Sequence, residues 1–163
     1  MSAQSKVLIT GASSGIGSVY ADRFAQRGHN LILVARDTNR LDKISKDLQE
    51  KYGVQVEFIQ ADLSNDQDIS KIEDVLKNDA AIEILVNNAG IALNRTFLTQ
   101  DIKDIEKLIT LNMTAVVRLS HTISQSLIHK GKGAIINLGS VLGLAPELGS
   151  TIYGASKIGR ASC

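Results

Sequence analysis

Tyr153 and Lys157 stand four residues apart, so one face of a helix would present both side chains. Their types suit proton transfer. A free phenol, with a pKa of about 10, supplies little phenolate near neutral pH, and a neighbouring ammonium favours the ionised form. A surface tyrosine lying over a lysine stem has the same spacing, so the pair alone is a weak signal. Two further polar residues precede it in the chain. Ser140 comes thirteen residues before Tyr153, just after an apolar run, and Asn112 lies inside a long stretch of helical periodicity.

A second group could bind phosphate. Thr10-Gly11-Ala12-Ser13-Ser14-Gly15-Ile16-Gly17 follows the apolar run Val7-Leu8-Ile9 and opens a helical stretch. Glycines permit a tight turn and bring backbone close to a pyrophosphate, while a helix start offers free N–H groups and a positive dipole end. A glycine-rich connecting loop without a ligand is the plain alternative, but the position between a first strand and a first helix favours binding.

The elements that must position these residues are legible as alternation. Val7-Leu8-Ile9, Leu31 to Val34, Val54 to Ile59, Ile84-Leu85-Val86 and Ala134 to Leu138 are candidate strands. Most are continuous apolar runs, as expected for parallel strands buried on both faces. Helical stretches lie between them, marked by Val19 and Phe24, by Leu41, Ile44 and Leu48, and by Ile69, Ile72, Val75 and Leu76. The longest runs from about Asp101 to His129, and a last helix begins near Thr151. This order predicts an α/β fold: a Rossmann-type doubly wound parallel sheet of five strands in order 3-2-1-4-5, with helices on both faces. The absence of a linker or repeat leaves residues 1–163 as one dinucleotide-binding domain.

The glycine pattern at residues 10–17, Asp62-Leu63, Asn87-Asn88-Ala89-Gly90, Ser140 and Tyr153-x-x-x-Lys157 occur in the order found in the short-chain dehydrogenase/reductase family. The chain resembles that family over its first 157 residues. The resemblance implies a nicotinamide-dependent oxidoreductase in which Tyr153 exchanges a proton with the substrate oxygen and Ser140 hydrogen-bonds that oxygen. Lys157 would lower the tyrosine pKa and hold the nicotinamide ribose. Asn112 would maintain a helix distortion and a water in a proton relay. Cofactor contacts are implied for Gly11, Ser13, Ser14, Gly15, Ile16, Gly17, Arg36, Asp62, Leu63, Asn88, Ala89 and Gly90, together with Tyr153 and Lys157.

Cofactor choice rests on the end of the second strand. Ala35 stands where the family usually has the acidic residue that bonds the ribose of NAD, and Arg36 follows it. A guanidinium there pairs with a 2′-phosphate, so NADP is expected over NAD, although Asp37 offers a weak NAD contact. The substrate is expected to be a small-molecule carbonyl or alcohol. Segments Ala92 to Gln100 and Val141 to Gly149 would line its cleft, with Leu93, Phe97, Leu142 and Leu144 making it partly apolar. The alternative is a catalytically inactive dinucleotide-binding fragment or module.

Composition removes other classes. A net charge of +1 and only six aromatic residues give nucleic acid nothing to bind, and no apolar run approaches the length of a membrane span. The single cysteine, Cys163, forms no intrachain disulfide, and no His or Cys cluster has metal-ligand spacing. With no signal-peptide pattern at Met1 to Lys6, a cytoplasmic location is expected. Only six residues follow Lys157, where the family adds two more strands and a substrate-covering loop. The expectation is therefore a member incomplete at its C-terminus, with Ala134 to Leu138 as an edge strand, reduced stability and homo-oligomerisation left open.

Overall fold

A computed structural model describes residues 5–93, 96–145 and 150–161. Five parallel strands, β1 (Lys6–Thr10), β2 (Asn30–Ala35), β3 (Val56–Gln60), β4 (Ile82–Asn87) and β5 (Ala134–Asn137), form one sheet in the order β3-β2-β1-β4-β5. The expected topology is the observed one. Four crossovers join these strands, α1 (Gly15–Gln26), α2 (Thr38–Tyr52), α3 (Asp66–Asn78) and the pair α4 (Ile102–Ile109) and α5 (Ala115–Lys130), and α6 (Thr151–Ala161) follows β5.

Strand side chains alternate between two separate cores. Val7, Ile9, Leu31 and Leu33 pack with Ala21, Ala25, Leu41 and Leu48 of α1 and α2. Leu8, Ile32, Val34 and Leu85 pack with Ile69, Ile72, Leu76, Leu119 and Ile123 of α3 and α5. Both faces being dry, the central strands read as unbroken apolar runs. The third strand departs from that reading. It begins at Val56 rather than Val54, and Glu57, Phe58 and Gln60 are exposed because β3 lies at a sheet edge. There Lys6 Nζ bridges Glu57 and Asp79 at 2.8 and 2.9 Å, tying β1 to the edge strand and the end of α3.

The long helix expected from Asp101 to His129 is interrupted. Thr110–Thr114 forms a π-helical turn between α4 and α5. Among the described residues, no helix is long and apolar enough to cross a membrane, and no group of side chains could hold a metal ion.

Candidate active site

The carboxyl ends of β1 to β4 open into a cleft of about 640 Å³, within the usual range for cofactor sites. Its lining includes Gly11, Ser13, Ser14, Ile16, Arg36, Asp62, Leu63, Asn88, Ala89 and Gly90, all anticipated from sequence. Gly15 and Gly17 are not part of this lining: Gly17 is buried under the turn, and Gly15 is exposed beside it at the start of α1. Arg40, Ile91 and Leu111 also line the cleft and escaped the sequence reading, since none belongs to a motif.

Two glycines explain why backbone reaches the cleft floor. Gly11 has φ +66°, and a Cβ there would lie 2.8 Å from Ala89 Cα and from Asn88 Nδ2. At Gly17 a Cβ would meet the Gly11 carbonyl at 2.3 Å, so the first turn of α1 can press against the β1 turn only without a side chain. The N-terminus of α1 is left open: Ser14 makes no side-chain cap, and the first turn has no acidic residue. By contrast, Asp37 caps α2 through Arg40 N–H, and Asn65 caps α3 through Asp68 N–H. The open end of α1 leaves its N–H groups and dipole for an anion.

Asp37 is thereby committed to the start of α2, where it also pairs with Arg40 Nε at 3.3 Å. Arg36 reaches Asp62 at 3.8 Å across the cleft mouth with most of its surface in solvent. Burial works against ionisation of the Asp62 carboxyl. Hydrogen bonds from the Ser64 hydroxyl and N–H, aided by the Arg36 charge, outweigh it and hold its pKa below the usual value. Thr10 links the two halves of the floor: its Oγ1 donates to the Val86 carbonyl and accepts from Asn88 and Ala89 N–H at 3.0 and 3.1 Å. Asn88 Nδ2 donates back to the Thr10 and Gly11 carbonyls.

The residues expected to transfer protons gather at the β4 and β5 side of this floor. Lys157 is buried, with Nζ 5.5 Å from the centre of the Tyr153 ring and 3.0 Å from the Leu138 carbonyl, to which it donates. Nζ also lies 3.4 Å from where a Gly90 side chain would begin, which joins this group to the cleft. Burial pushes the Lys157 ammonium down to about 8, and the Arg160 charge adds to the effect. Asn112 sits fully buried in the π-helical turn. Its side chain bonds both the N–H and the carbonyl of Ile91, at 3.0 and 2.9 Å, and donates to Ser156 Oγ.

Ser140 heads the 3₁₀ turn Val141–Gly143, accepting from Leu142 N–H at 3.2 Å. Gly143 packs that turn on the Ile158 backbone, where a Cβ would come within 3.0 Å. Among the described residues, Ser140 and Tyr153 are not hydrogen-bonded to each other. Of the apolar residues expected around a substrate, Phe97 and Leu144 are exposed, and neither they nor Leu93 and Leu142 line the cofactor cleft. The rest of those segments, residues 94–95 and 146–149, lies outside the described residues, as does Cys163.

Arg160 is the unanticipated member of the group. It is 2% exposed and donates only to backbone carbonyls among the described residues: Asn112, Asn87, Leu138 and Ala89. Sequence gave no signal for it, because carbonyl partners leave no side-chain pattern.

Comparison with known proteins agrees with this fold. Residues 5–162 match the short chain dehydrogenase family model. The chain is 33% identical to a very-long-chain 3-oxoacyl-CoA reductase of Bos taurus, covering 92% of this chain and 49% of that protein. It is 39% identical to sulfoacetaldehyde reductase 2 of Chromohalobacter salexigens, covering 93% and 60%. Among solved structures, a short-chain dehydrogenase from Sphingobium yanoikuyae in complex with NADPH superposes with TM-score 0.93 at 52% identity, covering 95% of this chain and 60% of that one. A bulky-bulky ketone specific alcohol dehydrogenase from Comamonas testosteroni gives TM-score 0.93 at 48% identity, covering 95% and 62%. The chain spans about half to three fifths of the length of these relatives. With the glycine turn, the Asn-Asn-Ala-Gly floor and the Tyr153–Lys157 face assembled on one sheet edge, the chain belongs to the short-chain dehydrogenase family.

Proposed function

We propose that this chain carries the cofactor-binding and proton-transfer machinery of an NADP-dependent oxidoreductase acting on a carbonyl/alcohol pair. The observation that carries the reading is the continuity of the glycine-turn cleft, through Gly90, with buried Lys157 beside Tyr153. The cleft fits a dinucleotide: its floor is bare backbone, the α1 N-terminus is uncapped, and two cations, Arg36 and Arg40, stand at its mouth. NADPH bound to the Sphingobium relative supports the same cofactor here.

When bound, the nicotinamide supplies or accepts the hydride. Ser13, Ser14 and the N–H groups opening α1 hold the pyrophosphate, and Asp62 and Leu63 flank the adenine. Arg36 and Arg40 would neutralise the 2′-phosphate, while Asp37 is held in the α2 cap and so is drawn away from a ribose hydroxyl. Tyr153 donates its phenolic proton to the carbonyl oxygen as that oxygen gains charge, and recovers it in the reverse direction. Ser140, whose oxygen accepts from Leu142 N–H, keeps its own O–H to donate to the substrate oxygen. Lys157 keeps a cation beside the phenol, and Asn112 fixes the turn facing both.

The test is thermal stabilisation of the 163-residue chain by NADPH and by NADH, with nicotinamide absorbance followed over a panel of ketones. Arg36→Ala is expected to weaken NADPH binding by about tenfold or more, the value of a charge-assisted hydrogen bond, and to leave NADH unaffected. Tyr153→Phe is expected to abolish turnover while cofactor stabilisation persists. Equal NADPH and NADH affinities would overturn the cofactor preference. Stabilisation without turnover would leave a dinucleotide-binding module.

A further inference from the structure

We infer that Arg160 is a positioning residue for the proton-transfer group, a guanidinium clamp that fixes α6 to the Asn112 turn and to the ends of β4 and β5, and so sets where Lys157 sits. The inference rests on the oxidoreductase reading for its purpose but not for its geometry. Tyr153, Lys157 and Arg160 occupy positions i, i+4 and i+7 of α6 and therefore share one helix face. Arg160 Nε donates to the Asn112 carbonyl at 2.8 Å. Nη1 reaches the carbonyls of Asn87 and Leu138 at 3.4 and 3.3 Å, and Nη2 donates to the Ala89 carbonyl.

Two details make this a clamp on Lys157 rather than a distant anchor. The Leu138 carbonyl is shared, accepting from Lys157 Nζ and from Arg160 Nη1. Asn112 is gripped at both ends, its side chain by Ser156 and its carbonyl by Arg160, so the bonds to this turn bracket Lys157 in sequence. A planar fork matches this spread of carbonyls, which a lysine's single nitrogen cannot span.

Electrostatics adds to the geometry. Around this pair, α6 contributes Tyr153, while β4, β5 and the π-helical turn contribute carbonyls and the amides of Asn87 and Asn112; no carboxylate pairs with either cation among the described residues. A buried ammonium beside a second cation, with no counterion, holds its proton loosely, as Lys157 does beside Arg160. Arg160 itself is pushed down by burial to about 10, against the opposing influence of Tyr153. The clamp thus leaves a cationic corner at the cleft whose natural counter-charge is the oxyanion formed during proton transfer.

Nuclear magnetic resonance on the full chain tests this without turnover. In the unmutated protein, the Arg160 Nε–H is expected to exchange with solvent at least about tenfold slower than the exposed arginines. Lys157, followed through a ¹³C-labelled ε-carbon and assigned by Lys157→Met, is expected to titrate near 8. Arg160→Met should move that midpoint up by about one unit, and Arg160→Lys, which retains the charge, should move it less. Rapid Nε–H exchange in the unmutated chain overturns the clamp by itself, even if a variant fails to fold. So does an unmoved Lys157 midpoint in folded Arg160→Met. Loss of NADPH stabilisation with slow exchange intact would instead refute the oxidoreductase reading alone.

Discussion

Lys157, a residue that is 6% exposed, has one hydrogen bond for its ammonium among the described residues, to Leu138, and a second cation for a neighbour. Its folded value of about 8 lies below the ordinary 10.5, so between those values the unfolded chain binds more protons than the folded one. Stability therefore rises with pH across that window and is lowest below it, where the buried charge is fully present in the folded state. Lys157→Met replaces the charge with an apolar chain of similar reach, and the Leu138 carbonyl keeps Arg160 as a donor. The variant is expected to be more stable than the parent at pH 7 and to lose that advantage as pH rises from 8 toward 10.5, while turnover is abolished. Urea midpoints at pH 7 and pH 10 measure the difference. Equal midpoints at pH 7 would mean that the ammonium reaches water in solution.

The elements owe their positions to a few polar contacts laid over an apolar pattern. The π-helical turn is the case in point: Asn112 supplies both partners of the Ile91 backbone, so the turn and the segment after β4 are one unit. Asn112→Ala strands an N–H and a carbonyl at once and is expected to cost about 2–4 kcal/mol, whereas Ser156→Ala, which leaves both Ile91 bonds in place, costs about 1 kcal/mol. Denaturant unfolding of the two variants compares them, and equal losses would show that the turn is held by its backbone alone. The turn was invisible to the hydrophobic period, and only the family resemblance, through Asn112, implied a distortion there. Ile105 and Leu108 before it and Val116 and Leu119 after it keep the helical period, and one extra residue per turn barely disturbs that signal. The central strands were legible because both faces are dry, and β3 was misplaced by two residues because its outer face is not. The glycine turn was legible because backbone crowding leaves glycine as the residue that fits. Arg40 and Arg160 were not, since a helix-start cation and a carbonyl-bonded guanidinium share no spacing rule.

Across the whole molecule, the cleft is the place where four strand ends and the π-helical turn meet, so a ligand there touches segments far apart in sequence. Binding to the folded state alone should then stabilise the sheet as a unit: NADPH at a hundred times its dissociation constant is expected to add about 2.7 kcal/mol. Thr10 decides whether that energy is shared. Its hydroxyl is the common partner of Val86, Asn88 and Ala89, binding the β1 turn to the β4 floor. Thr10→Val keeps the shape and removes the acceptor for two N–H groups. In hydrogen exchange, the unmutated chain should gain protection from NADPH at the ends of β1, β2 and β4 together. In Thr10→Val the gain should remain at β1 and β2, beside Gly11 and Arg36, and fall at Asn88 and Ala89. The coupling is cooperative through Thr10 if the protection splits in this way. Undiminished protection at β4 would instead assign it to direct contact between the cofactor and the Asn-Asn-Ala-Gly floor.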